Sequence, residues 1–353
     1  MLRWRAGGKL DFAQTLAQSP YQAEVITVMN PAGVLARILI GTLLALTAAW
    51  PVQAQSPSPP PAQEPALQAR QLAPGAWYVE GLSALGSPAN QNFISNAGFV
   101  ITPAGVVVID ALGSPALARR LLAEIRRHTA QPVTHVILTH YHADHIYGLQ
   151  AFKAAGAKIV AHQAAREYLN SETATLRLQA SRTELGPWID EKTQLVPADE
   201  WLTGDTEFSL GGVRFVVKAV GPSHTPEDLV VYLPQEKVLF AGDLVFRNRI
   251  PFVGQADSRQ WIKALDSLLG FDAKLIVPGH GGVSTKARED MELTRDYLTH
   301  LRKVMGEAAR NLEPWEAAYQ AADWSRFERL PLFRLANRMN AYNTYLLMER
   351  EGN

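Results

Sequence analysis

The chain has 353 residues, of which 47% are hydrophobic and 19% charged, with a formal net charge of +0. That composition supports a large core and excludes a disordered chain, while the balanced charge, with no basic stripe, argues against nucleic acid and anionic membrane surfaces as partners. Cysteine is absent, which excludes disulfides, thiol catalysis and thiolate metal ligands.

Residues 1–28 carry no persuasive pattern. From Met29 the chain reads as an export signal: a short region ending at Arg37, an apolar run over 38–50, and small residues at Val52 and Ala54. The apolar run is shorter than the roughly 20 residues a bilayer span needs. The expectation is a true start at Met29, cleavage after Ala54, no stable membrane insertion after cleavage, and a periplasmic or secreted protein. An uncleaved anchor is the alternative, and the mass of the mature N-terminus separates the two. Residues 55–74 are rich in Pro, Gln and Ala and read as a semi-rigid linker. A catalytic domain is expected over 75–284 and a helical region over 285–353.

Strands are expected at 77–80 and 92–101, with a Gly- and Pro-bearing loop at 81–91 between them. A buried strand at 106–109 ends at Asp110, which reads as a structural carboxylate holding the loop that follows. The spacing of Leu117, Leu121, Leu122 and Ile125 predicts a helix over 114–128. The β-branched run 132–138 predicts a strand, and 146–154 a short helix. A strand at 158–161, a helix at 163–170 and a mostly helical insertion at 171–190 follow. Gly211-Gly212 joins a hairpin of 206–210 and 213–220. Strands at 229–233 and 237–240, a helix at 258–269 and a strand at 274–277 precede three helices at 288–309, 314–322 and 332–348. The apolar faces of these helices point to packing on the core and to a homodimer contact. Periodicity alone yields an α/β chain with mixed sheets.

The chain has nine histidines, and three of them (His140, His142 and His145) fall with Asp144 directly after the 132–138 strand. Residues two apart in extended backbone point the same way, so His140 and His142 can grip one metal ion. Asp144 and His145 lie where the chain turns toward a helix and can face a second ion. Imidazoles and carboxylates suit borderline ions such as zinc. The bland alternative is a surface loop rich in His. Against it, His224, Asp243 and His280 also lie near strand ends, in segments that contain glycine (Gly221, Gly242 and Gly279), which lets backbone approach closely. His128, His135, His162 and His300 have no such setting and read as structural.

The segment His140-x-His142-x-Asp144-His145 resembles the signature of metallo-β-lactamase-fold hydrolases. Gly221-Pro222-Ser223-His224-Thr225-Pro226, Phe240-Ala241-Gly242-Asp243 and Pro278-Gly279-His280-Gly281 match the family's later motifs, in its order. The resemblance implies a four-layer αββα sandwich, with the C-terminal helices as an extension. It implies two zinc ions per chain: His140, His142 and His224 on the first, Asp144, His145 and His280 on the second, and Asp243 between them. A bridging hydroxide would attack a carbonyl, and Asp144 would relay the proton, cleaving an ester, thioester, lactone or amide of a small-molecule substrate. Lactamases of this fold usually place Cys or Ser where Asp243 stands, so the chain looks more like glyoxalase II, with β-lactams as promiscuous substrates. The runs Gly242-Asp243-Leu244-Val245-Phe246, Arg249-Ile250-Pro251-Phe252 and Asn340-Ala341-Tyr342-Asn343-Thr344-Tyr345-Leu346 are similar to exported zinc hydrolases of the quinoprotein relay type. A mononuclear iron enzyme of the persulfide dioxygenase kind, on the same fold, and a non-catalytic metal-binding accessory protein are the alternatives. In the family the loop between the first strands often acts as a flap over the metals, which makes 81–91 a candidate flap, and the 171–190 insertion is a candidate roof. Tyr141, Tyr147, Trp188, Phe246 and Phe252 are candidate pocket walls, and Lys286 and Arg288 candidate contacts for an acidic group.

Overall fold

A computed structural model describes residues 65–352. The expected export signal at 1–54, with its start at Met29 and cleavage after Ala54, and residues 55–64 of the expected linker lie outside the described residues. Among the described residues no helix is long and apolar enough to cross a membrane.

The folded region begins earlier than the composition indicates. Strand β1 (Ala69–Ala73), within the expected linker, pairs antiparallel with β2 (Ala76–Val79). Its sequence, Ala-Arg-Gln-Leu-Ala, has no β-branched residue, so propensity does not announce it. The pairing satisfies the edge of β2, which would otherwise present unpaired backbone groups. The Ala69 backbone N–H also donates to Glu124 Oε1 at 3.1 Å.

The first sheet continues through β3 (Ala97–Thr102), β4 (Gly105–Ile109), β5 (Val133–Ile137), β6 (Lys158–His162) and β7 (Glu200–Leu202), with seven strands in sequence order. From β4 to β7 the pairing is parallel, which requires crossovers. Helix α1 (Pro115–His128) is the first crossover, capped by Ser114, whose Oγ accepts from the Leu117 N–H. Helices α2 (Ala143–Ile146) and α3 (Leu149–Ala154) make the second, and α4 (Ala165–Leu169) and α5 (Glu172–Glu184) the third. The expected single helix over 146–154 is therefore two pieces, and the first turn already contains Asp144 and His145. Gly148 marks the break, where a Cβ would lie 1.9 Å from the Ala111 carbonyl oxygen.

The second sheet has the order β12-β11-β10-β9-β8, built from β8 (Thr206–Leu210), β9 (Val213–Ala219), β10 (Leu229–Leu233), β11 (Val238–Phe246) and β12 (Leu275–His280). Helix α6 (Ser258–Leu268) crosses between the parallel strands β11 and β12. Helices α7 (Ala287–Arg310), α8 (Trp315–Ala321) and α9 (Phe333–Gly352) complete the fold.

Three apolar clusters define the layers. Val107 and Ile109 of β4 face Phe215, Val217, Val231 and Phe240 of the second sheet, forming the core between the sheets. Their neighbours Val106 and Val108 point the other way, onto Leu117, Leu121 and Ile125 of α1. On the outer face of the second sheet, Val230, Leu239 and Ala241 pack with Trp261, Leu265, Leu298 and Leu301 of α6 and α7. A period of two sends alternate side chains into different cores, which is why β4 is apolar throughout. The result is helices, sheet, sheet, helices: the expected four-layer sandwich with a C-terminal helical extension.

Candidate metal centre

The named residues converge at one end of the sandwich. His140 and His142 follow β5, Asp144 and His145 occupy α2, His224 follows β9, and His280 is the last residue of β12. Asp243 lies inside β11 rather than past its end. There the pairing with β12 shifts register on both sides of Gly242, whose φ is +52°, so the carboxylate turns inward without the strand ending. A Cβ on Gly279 would lie 1.9 Å from Asp243 Oδ1, so this position admits only glycine while Asp243 stays in place.

Two donor groups form, in each of which one ligand atom per residue lies within 4.8 Å of the others: His140, His142, His224 and Asp243 in the first, Asp144, His145 and His280 in the second. Asp243 joins them. Its Oδ2 is 3.8 Å from His140 Nε2, 3.4 Å from His224 Nε2 and 3.2 Å from His280 Nε2, and its Oδ1 is 3.2 Å from His145 Nε2. Asp144 Oδ2 lies 3.5 Å from His145 Nε2 and 3.3 Å from His280 Nε2. His224 Nε2 and His142 Nδ1 are 3.0 Å apart. His142 is exposed and Asp144 half-buried, so they form the open side of the centre.

Tautomers follow from the surroundings. Asp110 Oδ1 accepts the Thr139 backbone N–H at 2.8 Å, and its Oδ2 accepts the Thr139 hydroxyl at 2.8 Å. That hydroxyl, its proton committed, can only accept from His140 Nδ1 at 3.0 Å. Asp110 Oδ2 also accepts from His145 Nδ1 at 2.9 Å. Both rings therefore keep a proton on Nδ1 and turn Nε2 inward. Among the described residues those two Nε2 atoms and Asp243 Oδ1 are buried without a hydrogen-bond partner. Buried polar atoms left this way are costly, and converging donor atoms satisfied by nothing in the protein fit a cation. The expected structural role of Asp110 is thus visible in its contacts.

Charge follows the same pattern. Burial and the neighbouring His145 hold His140 well below the ordinary imidazole range; His142, open to solvent on its outer side, is lowered to about 4 by desolvation of its ring among the other donors and by His224. Burial also acts against protonation of His145 and His224, but Asp243, Asp144 and Asp110 outweigh it at His145, and Asp243 and Asp228 at His224, so both are raised. Burial opposes ionisation of Asp243, yet His280 and His145 carry it well below the carboxylate range.

Other expectations divide. Phe246 stacks on His280 with ring centroids 5.1 Å apart, so it does border the centre. Tyr141 and Tyr147 do not line a pocket: each is 1% exposed, with its hydroxyl toward Val196 O and Ser181 Oγ respectively. The backbone at 141 and 147 turns these side chains into the core that holds the loop. Lys286 pairs with Glu289 and Arg288 with Glu292 along α7, a solvated helix start. Trp188 donates to Pro88 O at 2.7 Å and so ties the insertion to the 81–91 loop. His128 packs on Trp77, His135 meets Thr134, His162 accepts from the Ala164 N–H and His300 packs on Trp324, all as structural residues.

Three supporting residues escaped the sequence reading. Asn96 donates to the carbonyls of Pro278 and Gly281, both at 2.7 Å, bracketing His280. Arg249, fully buried, lies against His280. Glu227 Oε1 accepts the Tyr141 backbone N–H at 3.1 Å, fixing the peptide between His140 and His142 from the loop that carries His224. The only sequence signal for Glu227 was a pair of carboxylates, Glu227 and Asp228, just before a fully apolar strand. Glu227→Ala is expected to weaken metal binding at the His140–His142–His224 group by about 10–100-fold, the usual cost of losing a group that orients ligands, while the Asp144–His145–His280 group changes less. Glu227→Gln, which keeps an acceptor oxygen, should retain most of the affinity; metal titration of both variants checks this, and equal losses at both groups would contradict it.

Comparison with known proteins agrees with the geometry. The model of the metallo-beta-lactamase superfamily matches residues 91–280. A linear primary-alkylsulfatase of Pseudomonas sp. (strain ATCC 19151) is 26% identical over 235 residues, covering 56% of this chain and 44% of that protein. A metallo-beta-lactamase type 2 of Bacillus sp. (strain 170) is 30% identical over 203 residues, 56% of this chain and 71% of the relative. Among solved structures, a stereoselective inverting sec-alkylsulfatase from Pseudomonas sp. superposes with a TM-score of 0.64 at 19% identity, over 80% of this chain and 50% of that one. At that identity the likeness is one of fold. The chain spans about half the length of the alkylsulfatases it matches.

Proposed function

Because the chain belongs to the metallo-beta-lactamase superfamily, we propose that it is an exported, dinuclear zinc hydrolase that cleaves an ester, thioester, lactone or amide bond of a small molecule in the periplasm or outside the cell. The observation that carries the reading is Asp243: one carboxylate within 3.8 Å of imidazole nitrogens from both donor groups, while His140 and His145 are each held with Nε2 inward. His140, His142 and His224 would hold the first ion, Asp144, His145 and His280 the second, and Asp243 faces both. A divalent ion bound there supplies Lewis-acid polarisation and water acidic enough to be a nucleophile near neutral pH.

The chain's own residues supply the rest. Asp144 is the half-buried acid on the open side, placed to take a proton from the attacking water and return it to the leaving atom. Phe246, itself buried, stacks behind His280 and keeps water from that side of the ring. With no cysteine in the chain, direct attack by water rather than a thiol intermediate fits. The names of the relatives add β-lactams and alkyl sulfate esters to the substrates worth testing.

The test is metal content of the purified full chain beside a panel of ester, thioester, lactone, β-lactam and alkyl sulfate substrates. About two zinc ions per chain, and turnover lost on chelation and restored by zinc, are expected. One iron per chain with oxygen consumed on a persulfide would overturn the reading. Acidification provides a further check. His145 and His224 hold protons above the ordinary imidazole value, and zinc must displace them. Zinc affinity should therefore fall about tenfold per displaced proton for each unit of pH below those raised values. His140 and His142, lowered in the free protein, contribute nothing near neutrality. An affinity flat between pH 8 and 6 would contradict this.

A further inference from the structure

Arg249 follows β11 and is 1% exposed. A guanidinium stays charged and offers five N–H donors. Here Nε and Nη2 have no hydrogen-bond partner among the described residues. The group lies 5.5 Å from the ring centroid of Phe246 and 5.3 Å from that of Phe252. Nη1 is 3.2 Å from His280 Nδ1. Burial acts against this charge, and Asp243 and Asp144 sustain it. The negative charges that balance Arg249 are thus the same carboxylates that a metal pair would use.

His280 makes the conflict specific. Its Nδ1 also lies 2.7 Å from Ile94 O. The carbonyl can only accept and the guanidinium can only donate, so one ring nitrogen cannot serve both. With the proton on Nδ1, the ring bonds Ile94, and Nε2 turns a lone pair toward Asp144 and Asp243: the tautomer a metal needs. With the proton on Nε2, the ring accepts from Arg249 and donates to the carboxylates: a tautomer that cannot ligate. Loading the Asp144–His145–His280 group therefore costs Arg249 its acceptor and places a cation beside its charge. Among the described residues the first group faces no such fixed charge: the contact between His142 Nδ1 and His224 Nε2 holds only a proton that a metal can displace, whereas the Arg249 charge stays.

We propose that Arg249 makes the Asp144–His145–His280 site the weaker of the two metal sites, so that the second ion loads only when metal is abundant. This rests on reading the two donor groups as a pair of metal sites. Arg249 is a positioning residue, acting through His280 and through its fixed charge. Occupancy of the second site, and with it the two-ion form of the enzyme, then follows metal supply.

The experiment strips the full chain with chelator and titrates it with zinc alone, reading each binding step by calorimetry and the His280 tautomer by imidazole nitrogen NMR. The unsubstituted chain should load in two separated steps. In Arg249→Met the second step should tighten about tenfold or more, with the first unchanged and His280 shifted toward the Nδ1–H tautomer in the free protein. Arg249→Lys, which keeps the charge, should resemble the unsubstituted chain. Arg249→Gln, neutral but still a donor, serves where Arg249→Met fails to fold and should tighten the second step less. A second step unchanged or weakened in folded Arg249→Met or Arg249→Gln would overturn the proposal while leaving the hydrolase reading intact. An unsubstituted chain that binds no zinc would overturn both.

Discussion

Asp243→Ala is expected to lower turnover by at least about 10³-fold and to leave less than one zinc ion per chain. The carboxylate is within 3.8 Å of four imidazole nitrogens drawn from both donor groups, so its removal disables both at once, whereas loss of any one histidine leaves the opposite group with its own donors. Metal catalysis contributes several kcal/mol, and each 1.36 kcal/mol is a factor of about ten. The loss should also appear without turnover: Asp243 supports the raised proton affinity of His145 and His224, and without it both should titrate lower in the metal-free protein. Metal content by elemental analysis, kcat/KM on the best substrate of the panel and histidine titration by NMR test this together. An Asp243→Ala chain that keeps two zinc ions and full turnover would remove the main support for a shared carboxylate.

Asp110→Asn is expected to weaken the second metal site by about 10–100-fold and to reduce turnover accordingly, with modest change in fold stability. Three donors meet Asp110: the Thr139 N–H, the Thr139 hydroxyl and His145 Nδ1. Asparagine has one acceptor oxygen and one donor nitrogen, so at least one contact must reverse. Reversal at His145 moves its proton to Nε2 and removes the inward lone pair. Asp110 sits at φ +63°, a conformation that asparagine tolerates well, so the variant isolates the hydrogen bond from backbone strain. Asp110→Ala would be harsher, because the buried Thr139 N–H would lose its acceptor at a cost of about 1–3 kcal/mol. A normal zinc titration in Asp110→Asn would show that His145 is oriented by something other than this carboxylate.

Much of the centre was readable because its donors are local in sequence. The 132–138 run announces a strand by its β-branched residues, and the alternation of His140 and His142 follows from strand geometry. The element order from β2 to α9 likewise follows apolar spacing, except for β7 (Glu200–Leu202), which is too short to show a pattern and was not expected. The misreadings have particular causes. β1 pairs because β2 offers an edge, which no local pattern in Ala-Arg-Gln-Leu-Ala reveals. Asp243 was placed past a strand end because Gly242 looks like a terminator, but its register shift lets β11 run on to Phe246. Tyr141 and Tyr147 lie among ligands in sequence and yet point into the core, since side-chain direction in a loop is set by what packs beneath it.

By itself, then, the amino-acid sequence determined the α/β class and most of the strands beside the candidate donors, because these depend on spacing within a few residues; the layered sandwich and the full candidate donor set (His140, His142, Asp144, His145, His224, Asp243 and His280) came from the resemblance of four motifs to one family. Only the tertiary structure decided that Asp243 faces both donor groups, that Thr139 and Asp110 choose the tautomers of His140 and His145, and that Arg249 contends with Ile94 for His280. Apart from the one between adjacent Thr139 and His140, those contacts join residues well separated in the chain, up to 186 positions for His280 and Ile94. A proton's place on an imidazole is set by the group facing its other nitrogen, and that neighbour exists only once the two sheets have packed.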